Sequence, residues 1–204
     1  MLRALGLSVL LCLAAPALAQ DEAPAASPAP ETARIVLATQ AGDIVIEVET
    51  ERAPVTSANF LRYIDDGRLD DTEFYRAMKI GEEEGLVQGG VRDPRRLFPP
   101  IAHEPTTQTG LSHTDGAISL ARTTPGTAAA DFFIILGDRM VGLDAGPNAG
   151  GDLLGFAAFG RVVEGMDVVR RILDSPTSPT EGEGVMRGQM LEPRIRIVTA
   201  RRAE

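Results

Sequence analysis

Few side chains in this chain of 204 residues are placed to do covalent chemistry. The only cysteine, Cys12, falls inside an N-terminal apolar run, so the rest of the chain offers no thiolate as nucleophile or metal ligand. His103 and His113 stand ten residues apart. They lack the paired or helical spacing of metal ligands and are read as solvent-exposed loop residues. Glu82–Glu84 is a solvated charge run, and Asp138, Asp144 and Asp152 lack the every-second-residue spacing of a calcium loop. No dinucleotide fingerprint, phosphate loop or serine-hydrolase elbow is present. What remains is non-covalent. Arg76 ends the triplet Phe74-Tyr75-Arg76, Gln88 precedes the pair Gly89-Gly90, and Phe133 lies in the run Asp131–Ile134. By position alone these are a strand-end arginine with its head in water, a strand-end glutamine before a turn, and a core ring.

The elements that must position them are mostly strands. Arg34–Thr39 and Asp43–Glu49 read as a hairpin around Gln40–Gly42, with Ile44, Ile46 and Val48 alternating onto one face. Glu51–Gly67 reads as a helix, with Pro54 in its first turn and Gly67 as its left-handed stop. Strands are expected at Thr72–Met78, Leu86–Gln88, Ala117–Ala121, Asp131–Leu136, Phe156–Val163 and Pro193–Thr199, and a second helix at Met166–Leu173. Many strands with two helices indicate a mainly β protein, a closed or nearly closed antiparallel barrel of about eight strands capped by the helices. Two long connections, Gly89–Gly116 with four prolines and Arg139–Gly155 with five glycines, are of the kind that carries function.

Composition fits one domain with a core built mainly from aliphatic residues, since 44% of the chain is hydrophobic and only 4% aromatic. A formal net charge of −9 argues against nucleic acid and against anionic membrane surfaces as partners, because phosphate binding needs a basic face. The N-terminus reads as an export leader over residues 1–19: Arg3 is the basic start, Leu5–Ala15 the short apolar core, and Ala17-Leu18-Ala19 the small-x-small cleavage site. Its apolar run stops at Pro16, too short to span a bilayer, so the mature chain is expected in the periplasm or outside the cell without membrane insertion. Residues 20–33 are Ala/Pro-rich without apolar periodicity and read as a linker, which leaves 34–204 as the folded domain.

Four pieces in fixed order carry a resemblance: FYR at Phe74–Arg76, VQGG at Val87–Gly90, ISLART…DFFI from Ile118 to Ile134, and FAAFGRVVEGMDVV from Phe156 to Val169. From about Arg34 to Thr199 the chain resembles the cyclophilins, β-barrel peptidyl-prolyl cis-trans isomerases. The resemblance implies a monomeric enzyme, without metal or cofactor, that isomerises X-Pro bonds in proline-containing polypeptides. It implies Arg76 as the catalytic donor to the proline carbonyl and imide, Gln88 as the holder of substrate backbone, and Phe133 as the pocket floor. Phe74, Leu86, Ala121, Leu143 and Phe156 match further substrate-binding positions. The departures are the acidic insertion KIGEEEG after Arg76, Gly85 in place of a pocket aromatic, Asp131 where Gln is usual, Phe156 where His is common, and Gly142 where a large residue often sits. They imply a shallower, more acidic groove with weak turnover. A proline-segment binding module or chaperone of the same fold, with little or no turnover, is the alternative.

Overall fold

The computed structural model describes residues 29–203; the leader and most of the linker lie outside the described residues. Nine strands form one antiparallel sheet: β1 Thr32–Thr39, β2 Gly42–Glu49, β3 Thr72–Lys79, β4 Gly85–Gly90, β5 Ala117–Leu120, β6 Phe132–Leu136, β7 Ala157–Glu164, β8 Thr177–Ser178 and β9 Met190–Arg202. The order β1-β2-β7-β5-β6-β4-β3-β9 closes through pairing of β9 with β1, from Ile35 opposite Arg202 to Thr39 opposite Ile197. Closure of eight strands leaves no open edge. The two-residue β8 attaches outside the ring, to β9.

Alternation decides what fills the barrel. Ile35 and Leu37 of β1 and Ile44, Ile46 and Val48 of β2 are fully buried, while their neighbours face outward. The helix α1, Pro54–Asp65, lies against β2, β7 and β9, and its Phe60 ring meets Phe132 and Phe159 at 5.5 and 5.0 Å. The helix α3, Met166–Leu173, packs Val168, Val169, Ile172 and Leu173 onto β2, β3, β4 and β6. Both helices join one continuous core.

Three details differ from the sequence expectation. β1 starts at Thr32, two residues inside the expected linker, because Thr32 and Ala33 pair with Glu49 and Val48. A third helix, the single turn α2 Thr106–Thr109, interrupts the first long loop. That loop also supplies a long-range cap. The buried Glu104 carboxylate accepts from the backbone N–H groups of Val55 and Thr56 at 3.1 and 2.6 Å, so the first turn of α1 finds its acceptor nearly fifty residues away.

Candidate active site

A β-bulge positions the arginine. Phe74 pairs with Gly89 and Arg76 with Gln88, so Tyr75 is the extra residue on β3. Without the bulge Phe74 and Arg76 would share a face. With it, Phe74 turns fully into the barrel against Phe132, and Arg76 comes onto the outer wall beside Gln88. The sequence assignment of Phe74 to the binding site is therefore corrected: its side chain is core and does not line the pocket.

Arg76 is held but not neutralised. Its Nε donates to Gln189 Oε1 at 2.8 Å, Nη1 to Gln88 Oε1 at 2.8 Å, and Nη2 to the weak acceptor Met78 Sδ at 3.5 Å. Five N–H donors thus meet two amide oxygens and one thioether, which leaves part of the fork for a guest. Among the described residues no carboxylate comes within 4.0 Å of it. Burial lowers its pKa from the ordinary arginine value. The group stays charged, and its partly buried setting screens its field less than bulk water would.

Beside it lies a cavity of 230 Å³ on the outside of the barrel. Outward residues of β3, β4 and β6 supply Met78, Leu86 and Phe133; Ala121 and Arg122 follow β5, Met140 and Leu143 come from the second long loop, and Phe156 precedes β7. Phe133 forms the floor with the Phe156 ring set edge-on at 5.4 Å. The cavity therefore brings together Arg76, Leu86, Gln88, Ala121, Phe133, Leu143 and Phe156 of the sequence assignment.

Five lining or supporting residues were missed. Met78, Met140 and Met186 supply cavity wall, their unbranched side chains conforming to an irregular gap. Gln189 and Arg122 are supports. Arg122 is bidentate to Asp152 at 2.7 and 2.8 Å and donates to Gly155 O at 2.9 Å, which fastens the chain entering Phe156. No local signal marks Gln189, whose partner is more than a hundred residues earlier.

Of the acids expected at the groove, Asp131 stands in the hollow that adjoins this cavity, and the acidic insertion stands apart from the cavity. Glu82–Glu84 sits in the β3–β4 turn, Glu84 pairs with Arg139 at 3.1 Å, and no carboxylate lines the cavity. Gly85 has φ +153°, and a Cβ there would lie 2.0 Å from Met78 O. The hairpin demands glycine at this position, so no aromatic could stand there. Neither histidine is an exposed loop residue: His103 is half-buried with Nε2 at 2.9 Å from Leu154 O, and His113 is fully buried.

A second hollow of 450 Å³ adjoins the first and shares Gln88, Ala121, Arg122 and Met186 with it. At its wall Tyr75 Oη donates to Asp131 Oδ2 at 3.0 Å, the Arg92 guanidinium covers the Tyr75 ring at 4.4 Å, and Asp131 Oδ1 is buried without a partner. Burial drives the Asp131 pKa up, with the Tyr75 hydrogen bond and Arg92 opposing. A carboxyl whose folded pKa is raised costs nothing below its unfolded value of 3.8 and destabilises the fold as pH rises through the higher folded value. Asp131→Asn, which cannot ionise, should therefore raise the melting temperature at pH 7 by a few degrees, the size of shift that about 1 kcal/mol gives in a domain of this length. The gain should vanish near pH 3; a gain independent of pH between 3 and 7 would show that ionisation of Asp131 is not its source.

The site is a small, largely apolar cavity on the outer wall of an antiparallel barrel, with a guanidinium at its rim that no carboxylate neutralises among the described residues. The comparisons identify the family. Residues 34–201 match the model described as "Cyclophilin type peptidyl-prolyl cis-trans isomerase/CLD", and the chain belongs to that family. It is 35% identical over 153 residues to peptidyl-prolyl cis-trans isomerase cyp18 of Streptomyces antibioticus, covering 72% of this chain and 87% of the relative. It is 36% identical over 139 residues to peptidyl-prolyl cis-trans isomerase B of Escherichia coli K12, covering 66% and 80%. Two crystal structures of a Cryptosporidium parvum cyclophilin type isomerase, one in the presence of the dipeptide Ala-Pro, superpose with TM-scores of 0.64 and 0.66. These cover 85% and 84% of this chain and 99% of the neighbour at 18% and 19% identity, which establishes the shared fold. The protein is a cyclophilin-type peptidyl-prolyl cis-trans isomerase.

Proposed function

We propose that the 230 Å³ cavity receives the proline ring over Phe133 and that Arg76 is the catalytic group. The imide barrier of roughly 18–20 kcal/mol comes from resonance that keeps the C–N bond planar. Twisting the bond localises the nitrogen lone pair and returns the carbonyl to an ordinary one. A cation that donates to the proline carbonyl and then to that lone pair binds the twisted state better than either planar isomer. A 10⁵-fold acceleration needs only about 7 kcal/mol of such preference. The observation that carries this reading is the partly unoccupied Arg76 fork at the cavity rim. Gln88 serves it by fixing Nη1, and its amide N–H₂ is left for substrate backbone. The Ala-Pro dipeptide in the related crystal supports proline-containing peptides as the substrate class.

Other features support a reading of client and compartment. The hollow containing Arg92 and Asp131 prolongs the cavity into a surface groove, which suits flexible or unfolded chains more than folded surfaces. With the leader pattern of residues 1–19, this supports a chain that assists folding after export, in the periplasm or outside the cell. Expressed at full length in a bacterium, the chain should be recovered from the exported fraction with an intact mass starting at Gln20. That material should elute as one chain and accelerate a refolding reaction limited by proline isomerisation. A cytoplasmic chain retaining Met1 would overturn the compartment, and refolding unaffected at equimolar enzyme would overturn the role.

A further inference from the structure

Behind the pocket floor lies a buried cluster that the isomerase chemistry leaves unused. His113, fully buried, has Nδ1 at 2.5 Å from Asp144 Oδ1 and Nε2 at 2.9 Å from Ser119 Oγ. Asp144 also accepts the His113 backbone N–H at 3.0 Å and the Ser112 hydroxyl. The order Ser–His–Asp has the connectivity of an acyl-transfer triad. Ser119 is itself fully buried and its hydroxyl is committed to His113, so no substrate carbonyl can reach it. The cluster must act on something else.

Two contacts say on what. The imidazole runs parallel to the Phe133 ring and offset from it, centroids 6.0 Å apart and planes inclined by 16°, and Phe133 in turn stands perpendicular to Phe156. Asp144 directly follows the turn Val141–Leu143, which with Met140 provides two pocket walls. Imidazole protonation follows from the partners. An ionised carboxylate can only accept, so Nδ1 carries the proton and Nε2 accepts from Ser119. Burial, the largest influence, lowers the His113 pKa and favours this neutral form against the pull of Asp144. With both ring nitrogens tied, the imidazole is held in one orientation beside the Phe133 ring.

We propose that His113 and Asp144 are positioning residues: together they clasp the floor Phe133 and the Met140–Leu143 wall at a set separation, and so fix the fit of the proline ring. This rests on the reading of the cavity as the proline pocket. Neither residue touches substrate, and Arg76 is held by other groups. Loosening the clasp should therefore weaken ground-state fit, raising KM while leaving kcat nearly unchanged.

His113→Ala also empties a fully buried site and risks unfolding, so the test uses Asp144. Asp144→Ala removes the acceptor; Asp144→Asn keeps an oxygen for His113 and an amide for Ser112. Val169→Ala, fully buried in α3, gives a core loss away from the pocket. With a tetrapeptide centred on Ala-Pro, Asp144→Ala should raise KM by about fivefold or more with kcat within about twofold. Asp144→Asn should return KM to near wild type, and Val169→Ala should leave it there despite a lower melting temperature. An unchanged KM in Asp144→Ala, an Asn variant as impaired as Ala, or a KM that simply tracks melting temperature through Val169→Ala would each overturn the clasp. Arg76→Ala assayed alongside separates the two readings. If it loses turnover while Asp144→Ala shifts nothing, the clasp alone fails; if neither variant differs from wild type, the assignment of the pocket fails with it.

Discussion

Arg76→Ala should lower turnover on an X-Pro peptide by about 10²–10³-fold, the usual cost of deleting one preorganised donor that acts in the transition state. Its folding cost should be far smaller. The guanidinium is half-buried, and its two amide partners, Gln88 and Gln189, stand at a groove that water can enter. Buried hydrogen bonds from a charged donor contribute about 1.5–3 kcal/mol, and water entering the groove offsets part of their loss. Binding of the planar substrate should weaken little, so the defect should fall on kcat. Arg76→Lys should recover only part of the rate. An ammonium keeps the charge but cannot hold Gln88 and Gln189 while pointing a further donor at the imide. Peptide turnover and a denaturant titration measured on the same preparations would separate the two effects; parallel losses in both would mean that Arg76 is structural.

Phe133→Ala should damage both properties. The ring is nearly inaccessible, packed among the parallel, offset His113 ring, the perpendicular Phe156 ring and the second apolar cluster of Leu86, Ala117, Ile135 and Met140. Truncating a buried phenylalanine costs about 3–5 kcal/mol. It also deepens the cavity beneath the proline, so affinity for proline peptides should fall together with the melting temperature. Phe133→Leu should restore most of the stability and less of the affinity, because a branched aliphatic side chain fills volume without a flat floor. A Phe133→Ala protein that keeps wild-type peptide affinity would place the proline somewhere other than over this ring.

The barrel was largely legible in the sequence because the hydrophobic alternation of β1 and β2, the Pro54 and Gly67 signals of α1 and the apolar spacing of α3 are local patterns with local causes. What escaped depends on distant partners. The bulge at Tyr75 shifts the alternation by one and sends Phe74 inward, yet nothing in the triplet FYR marks an extra residue. The Glu104 cap, the Gln189 support and the His113 clasp each join segments tens of residues apart, and a loop histidine looks the same in sequence whether it is solvated or buried. Gly85 illustrates the opposite error. Its departure from the family pattern suggested a weakened pocket, whereas the backbone of the acidic β3–β4 hairpin requires glycine there and the methionines close the wall. The family motifs pointed to residues that line one cavity, and the shape of that cavity is set by long-range packing.

Exchange NMR on a cis/trans mixture of an Ala-Pro tetrapeptide, with catalytic amounts of wild type and of Arg76→Ala, tests the assigned chemistry most directly. Uncatalysed interconversion takes tens to hundreds of seconds. With wild type, exchange cross-peaks should develop at mixing times of a second or less; with Arg76→Ala they should recede toward the uncatalysed spectrum while peptide binding persists. Equal exchange by the two proteins, or binding by wild type without any exchange, would contradict it.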